Sequence, residues 1–310
     1  MFNYKETLPR YIAGGSPSED TLKHYNTEID NFLAWCSDNA YDPLKDIDEP
    51  TAFEYLDYLN KNHFSPASIC LKIAAARTFY FVACKLRRAD VNPFDAVKPK
   101  KPAYDDAEFD YFDVDELKEI CDSIIKRNDP TAHRDLAIVM LMSVEGLRTV
   151  EIHRMSDEDF NFKNNSILIH GKGRDNYIYP CQDTLNVLET YLNSRPEPVK
   201  DEHGTPTFIG FSPKFFGVRI SRNGIRWAVN HILLAVDKKK SGSSCHTLRH
   251  SCGTNLYAET KDLRLVQETL RQKDPQTTAR YAHVKERTTE RRTAAISPLK
   301  SLQSPDQQNL

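Results

Sequence analysis

The residues of this chain best suited to chemistry are concentrated between His246 and Tyr281. The stretch opens with His246-Thr247-Leu248-Arg249-His250, runs through an amphipathic segment ending at Leu270-Arg271-Gln272, and closes with Gln276-Thr277-Thr278-Ala279-Arg280-Tyr281. Strong phosphate-binding groups and a phenol on neighbouring helices point to a phosphodiester as the natural target. Far upstream, Arg148 follows Glu145-Gly146-Leu147 with Glu151 three residues on, and Lys172 sits in Gly171-Lys172-Gly173. Singly these signals are weak. An Arg beside a helix end is usually an ion-pair residue, a Lys at a hairpin tip is usually solvated, and a Tyr near a helix end usually packs. Their order in one chain is what carries weight.

Two apolar-rich regions must position these residues. In the first, Leu22, Tyr25, Ile29, Phe32 and Leu33 mark one face of a helix over 18–36. A second helix follows Asp48-Glu49-Pro50, and a third follows the N-cap pair Ser65-Pro66 with Ile69, Ile73, Ala76, Phe79, Tyr80 and Ala83 as its stripe. The pattern ends at Asn92-Pro93-Phe94, and Val97-Lys98-Pro99-Lys100-Lys101-Pro102 reads as a proline-stiffened basic linker. In the second region, Asp113 and Glu116 form a capping box ahead of Leu117, Ile120 and Ile124. The nearly all-apolar Leu136 to Val144 predicts a central buried helix, which Gly146 stops in a left-handed conformation. The period then changes to two. Phe160 and Phe162, Ile167 and Ile169, and Tyr177 and Tyr179 alternate as strands around turns at Lys163-Asn164-Asn165 and Gly171-Lys172-Gly173, which puts Lys172 at a hairpin tip. Helical spacing returns over 185–192 and 225–236, and Lys238-Lys239-Lys240-Ser241-Gly242 forms a basic approach to His246. Trp227, His231 and Tyr257 read as packing residues.

Composition excludes several classes. With 310 residues the chain accommodates two domains. Its formal net charge of −2 rules out a global polycation, so any attraction for nucleic acid must come from local patches. Seven cysteines, an odd number without Cys-x-x-Cys spacing, and a start lacking a secretory pattern read as reduced thiols in a cytoplasmic protein. No uninterrupted apolar run approaches the ~20 residues that span a bilayer, and the expectation is a soluble protein.

The ordered set Arg148, Glu151, Lys172, His246-Thr247-Leu248-Arg249-His250 and Gln276 to Tyr281 resembles the tyrosine recombinase, or phage integrase, family. The likeness runs from about Phe112 to Val284, and the helical unit ahead of it resembles that family's core-binding domain. As a set the motifs are highly specific, although none is alone. The resemblance implies a mainly α fold with a small antiparallel β-sheet in the catalytic domain. It implies a helical, SAM-like core-binding domain over 1–96, a linker over 97–107, an α+β catalytic domain over 108–296, and a polar tail over 297–310. The activity it implies is site-specific cleavage and rejoining of DNA through a covalent 3′-phosphotyrosine, with strands exchanged via a Holliday junction and with neither cofactor nor metal.

Roles carry over by position. Arg148 and Arg249 would hold the scissile phosphate, Lys172 would protonate the leaving 5′ oxygen, His246 would handle the nucleophile's proton, and Tyr281 would attack. Glu151 would support the site and His250 would be structural. The physical chemistry agrees. Guanidinium stays protonated and offers paired donors to phosphate oxygens. A phenol with reference pKa ≈ 10 needs a proton acceptor or a positive field before it attacks, and an alkoxide leaving group needs a proton. One departure stands out. The family usually reads Leu-Gly-His before the tyrosine helix, whereas this chain reads Leu270-Arg271-Gln272, so Gln272 would donate to the phosphate in place of a histidine. Asp274-Pro275 would then start the tyrosine helix.

The partner implied is double-stranded DNA carrying a specific core site, clamped between the two domains. Lys98, Lys100, Lys101, Arg222, Arg226, Lys238, Lys239 and Lys240 are candidate DNA contacts, each with solvated surface as the alternative. The charged stretch after Tyr281 would dock on a neighbouring protomer, giving a dimer on one site and a tetramer in the synapse. Type IB topoisomerase-like relaxation and a noncatalytic DNA-binding regulator are the competing readings. The biological task stays open among integration and excision, inversion, and resolution.

Overall fold

The computed structural model describes residues 3–101, 110–127, 129–161, 163–171, 175–239 and 244–272, together with Thr278 and Tyr281. The chain divides into two compact units, Met1–Ala103 and Tyr104–Leu310.

In the first unit a short α1 (Tyr4–Thr7) precedes three longer helices, α2 (Glu19–Asp38), α3 (Glu49–Lys61) and α4 (Pro66–Lys85). Each long helix begins where a side-chain oxygen is available to a free N–H. Ser18, Asp48 and Ser65 accept from Thr21, Thr51 and Ser68 at 3.3, 2.9 and 3.2 Å, and each such cap is worth about 1 kcal/mol. The helices close over an aromatic centre. The Phe32 ring lies 5.1 Å from Tyr55 and 5.4 Å from Phe94, both edge-on, a geometry that matches the positive ring edge to the negative face. Among the described helices α4 alone is long and apolar enough to cross a membrane. It is nonetheless the core helix of this unit, burying Ile69, Ile73, Phe79, Tyr80 and Val82. The expected linker begins at Val97, yet Val97 is fully buried and its carbonyl accepts from Arg77 at 2.5 Å. The chain therefore remains tied to the first unit through that residue.

The second unit is mostly helical, with one small antiparallel sheet. α5 (Val114–Ile125) opens with the expected capping box, in which Glu116 N–H donates to Asp113 at 2.9 Å and Asp113 N–H donates to Glu116 at 3.1 Å. α6 (Ala132–Ser143) is the central helix, with Ala137, Ile138, Val139, Leu141 and Met142 inaccessible. α7 (Thr149–Arg154) leads to an antiparallel sheet of order β1 (Phe160–Asn161), β2 (Ser166–His170) and β3 (Asp175–Ile178). In β2–β3, Ile167 opposes Ile178 and His170 opposes Asp175, so position 172 falls in the sequence between the two paired strand ends. α8 (Gln182–Ser194), α9 (Arg222–Ala235), α10 (Cys245–Thr260) and α11 (Leu263–Thr269) complete the described α-helices.

α6 packs against α5, α8, α9 and α10, so its uniformly apolar sequence is used on all sides. The chain between α8 and α9 holds only a 3-10 turn, Pro213–Phe215, and isolated β-bridges among its described residues, and it is held by two arginines with buried side chains. Arg195 donates to the carbonyl of Pro206 at 2.9 Å and pairs with Asp157, while Arg219 pairs with Asp201 at 2.5 Å and donates to the Met155 carbonyl at 2.8 Å.

Trp227 and His231 are not core residues. α9 turns Ile225, Ala228, Val229, Ile232 and Leu233 inward, which leaves Trp227 62% exposed, its ring tilted against that of His231 at a centroid distance of 3.7 Å. Tyr257, in contrast, packs as expected with Cys252, Val266, Leu270 and Tyr281.

Candidate active site

The site is assembled around the turn that follows α6. Gly146 has φ +64, and a Cβ built there would lie 2.6 Å from Leu270 Cδ2 and 3.1 Å from Cys252 Sγ. Conformation and space both require glycine. Its carbonyl oxygen points at two guanidinium groups, accepting from Arg249 and from Arg271, the latter at 3.0 Å.

Arg148 leaves this turn as the N-cap residue of α7. One turn into that helix, the Glu151 carboxylate accepts from the Arg148 backbone N–H at 2.7 Å and from the Arg148 guanidinium at 2.8 Å. The Glu151 side chain is 3% exposed while that of Arg148 is 36% exposed. The carboxylate is thus the buried anchor and the guanidinium the accessible group. Burial pushes the Glu151 carboxyl up, but Arg271, the Arg148 N–H, Arg148 and Arg249 outweigh it and hold the group below its ordinary value.

Arg249 comes from α10, buried, with its guanidinium donating to the carbonyls of Gly146 and Leu270. Burial, reinforced by Arg148 and Arg271 and opposed by Glu151, draws its pKa down to about 10, so it remains cationic at neutral pH. The three-and-four periodicity of α10 sets His246, Arg249, His250 and Gly253 in one stripe. Gly253 is where the stripe meets the phenol. A Cβ there would lie 2.8 Å from both Cε1 and Cζ of Tyr281, so the absence of a side chain admits the ring. Tyr281 is fully buried, and its hydroxyl oxygen lies 3.1 Å from His250 Nδ1. His250, read from sequence as structural, is therefore the imidazole seen next to the phenol. His246 lies exposed in the first turn of α10.

Gln272 closes the site after α11, and its side-chain oxygen accepts from the Thr278 hydroxyl at 2.7 Å. Arg271 is the residue sequence reasoning missed. Its guanidinium reaches Glu151 at 3.3 Å, which gives the cluster three arginines and one carboxylate. The sequence signal was the same Leu270-Arg271-Gln272 departure in which only Gln272 was singled out.

Lys172 lies outside the described residues, as do Lys240, Asp274-Pro275 and the stretch after Tyr281. The strand ends flanking Lys172 are fixed by His170, which contacts Asp159 at 2.8 Å and Asp175 at 3.2 Å. Burial lowers the His170 pKa, but the two carboxylates prevail and raise it. Of the candidate DNA contacts, Lys98, Lys100, Lys101 and Arg226 are exposed and Arg222 is half-buried. Lys238 is taken by Glu119 and Glu116 of α5, at 2.9 and 3.3 Å, and so braces two helices. Among the described residues no group of three or more His, Cys, Asp or Glu is placed to hold a metal ion.

A catalytic unit of helices packed on α6 and carrying a three-stranded sheet, with arginines from three separate segments near a buried tyrosine, defines a phosphoryl-transfer class of site. Comparison with known proteins makes the class specific. The phage integrase family profile matches residues 110–288, and that of the phage integrase N-terminal SAM-like domain matches residues 9–85. The tyrosine recombinase XerC of Staphylococcus aureus strain JH9 is 30% identical over 275 residues, covering 86% of this chain and 87% of the relative. XerC of strain MSSA476 is 29% identical over 276 residues with the same coverage. Among solved structures, the Tn1549 transposon integrase with transposon right-end DNA aligns with a TM-score of 0.71 at 13% identity, covering 97% of this chain and 98% of that one. XerH in its post-cleavage complex on palindromic difH aligns at 0.69 and 22% identity, covering 90% and 80%. The chain belongs to the phage integrase family, as a tyrosine site-specific recombinase.

Proposed function

We propose that this protein cleaves and rejoins duplex DNA at a specific core site, with Tyr281 as nucleophile. The observation that carries the reading is the convergence of Arg148 and Arg249 on one turn beside the Tyr281 phenol. The Tyr281 oxygen attacks the phosphorus, the bond to the 5′ oxygen breaks, and the DNA is left as a 3′-phosphotyrosine and a free 5′ hydroxyl. Arg148 and Arg249 bind the non-bridging oxygens, where charge grows in the transition state. His246, or His250 at 3.1 Å from the phenol, takes the phenolic proton, and Lys172 supplies a proton to the departing oxygen. Gln272 donates to the phosphate and Glu151 orients Arg148. The phosphotyrosine conserves the bond energy, so a 5′ hydroxyl from a second duplex reverses the step without ATP and exchanges strands via a Holliday junction.

In this reading the protein is a two-domain, cytoplasmic enzyme that acts as a dimer on one core site and as a tetramer in the synapse. We assign the tetramer contacts to the tail beyond Tyr281, and DNA contacts to Lys98, Lys100, Lys101, Arg222 and Arg226. A duplex nicked close to the cleavage position tests the chemistry, because the short fragment diffuses away and traps the adduct. The wild type accumulates a covalent complex and Tyr281→Phe binds the same duplex without forming it. Binding by the wild type without an adduct would establish the noncatalytic alternative.

A further inference from the structure

We propose that Arg271 is a positioning residue of this active site, a third guanidinium that holds the Glu151 carboxylate and the Gly146 carbonyl so that Arg148 keeps its charge for the scissile phosphate. The inference deepens the recombinase reading and rests on it.

Several features of Arg271 work against the fold. Its φ is +50, in the left-handed region where a Cβ is unfavourable. Its side chain is 10% exposed, and burial of a guanidinium is costly unless its donors and charge are matched. The matching is incomplete, because Nε is buried without a hydrogen-bond partner. Local rules broken together in this way are characteristic of a site kept for function.

The contacts identify that function. Nη1 donates to the Thr269 carbonyl at 2.8 Å, while Nη2 donates to the Gly146 carbonyl at 3.0 Å and to Glu151 Oε2 at 3.3 Å. Glu151 Oε1 and Oε2 simultaneously accept from the Arg148 guanidinium and backbone N–H. Arg148 Nη2 also reaches the Arg271 carbonyl oxygen at 3.4 Å. Arg271 therefore touches Arg148 through its own backbone and again through Glu151. Were Glu151 paired with Arg148 alone, the one exposed guanidinium would face a buried carboxylate of full opposing charge. With Arg271 sharing that carboxylate, the cluster retains net positive charge where the phosphate must sit, in surroundings that screen it poorly. The buried Nε cannot meet the phosphate, which makes this role one of positioning.

The test uses the full-length protein on the nicked duplex, measuring DNA affinity, single-turnover adduct formation and thermal unfolding separately. Arg271→Gly removes the guanidinium and suits the left-handed backbone. Relief of the left-handed strain offsets only part of the lost pairing with Glu151, so the variant is expected to stay folded with a somewhat lower midpoint and to bind DNA within about 3-fold, yet to form adduct roughly 10–100-fold more slowly, the usual effect of losing an orienting neighbour. Arg271→Lys keeps the charge and should recover part of that rate. Should the glycine variant fold poorly, Arg271→Asn supplies a neutral side chain that tolerates this conformation. Wild-type adduct with an equal rate in the folded neutral variant overturns this inference alone. A rate loss that Arg271→Lys does not relieve, or that is accounted for by the fraction of the variant unfolded at the assay temperature, also overturns it. Absence of adduct in the wild type overturns the recombinase reading and this inference together.

Discussion

Replacing Glu151 with Gln isolates the charge that organises the site. The side chain is 3% exposed and accepts from Arg148 at 2.7 and 2.8 Å and from Arg271 at 3.3 Å. Gln keeps the shape and one acceptor, but its amide N–H2 must face a guanidinium, and three arginines are left without a counter-charge. Breaking one side of a buried pair costs about 3–5 kcal/mol. Since Gln preserves one neutral hydrogen bond and Arg148 is partly solvated, we expect the lower part of that range. For a unit of this size, each kcal/mol moves the midpoint by roughly 2–4 °C, so the catalytic unit of Glu151→Gln should unfold roughly 6–12 °C lower. The pH dependence tests the cause. Glu151 is held below its ordinary value of 4.5. Its contribution is fully present above the unfolded carboxylate's range and disappears as pH falls through the lower folded-state value. Urea titrations of both proteins should therefore differ by a constant amount from pH 7 down to about pH 5, and the gap should close only below about pH 4, near and below the reference carboxylate range. A gap unchanged at pH 3.5, with both proteins still folded there, would refute the electrostatic account and leave packing as the explanation.

Three other expectations are simpler. Gly253→Ala gains about 1 kcal/mol of helix propensity but sets a methyl 2.8 Å from two Tyr281 ring atoms; overpacking of about 1–3 kcal/mol should prevail, and a raised urea midpoint would show that the ring yields freely. In the native protein Cys181, exposed, should react with a thiol reagent before Cys36 and Cys252, which are buried with pKa values pushed up to about 12; mapping the first labelled cysteine by mass spectrometry to Cys252 would contradict the burial. Gln272→His should preserve or raise adduct formation if that position meets the phosphate, and a folded variant devoid of cleavage would place Gln272 elsewhere.

Features that depend on a few neighbouring residues were readable from sequence, and those that depend on distant ones were not. Ser18, Asp48, Ser65 and Asp113 each cap the helix that follows because a short side chain reaches an N–H two or three residues on. Gly146 was readable because a left-handed stop after an apolar helix has almost one solution. The pairing of His250 with Tyr281 joins residues 31 apart through a ring seated on Gly253, and no local period encodes it. Trp227 was misread through its residue type, although the Ile225, Val229 and Ile232 spacing already turned it outward. Arg271 is the hardest case, since an arginine at positive φ contradicts local preference and is explained only by Glu151, 120 residues earlier.

The partners chosen for each arginine separate structural from reactive charge. Arg219 and Arg195 lie opposite Asp201 and Asp157, which take part of their donors and offset their charge. Arg249 is satisfied by the carbonyls of Gly146 and Leu270 instead. A carbonyl accepts a hydrogen bond without contributing a counter-charge, so the guanidinium is oriented while its charge is offset only by the Glu151 carboxylate that it shares with Arg148 and Arg271. That condition is unfavourable in the free protein, which is why its pKa is drawn down to about 10 by burial and by the neighbouring arginines. A dianionic transition state supplies the missing charge at the moment of reaction, and the interaction grows as charge develops on the phosphoryl oxygens. A chain of net charge −2 can in this way concentrate strong positive potential at one turn without being basic overall.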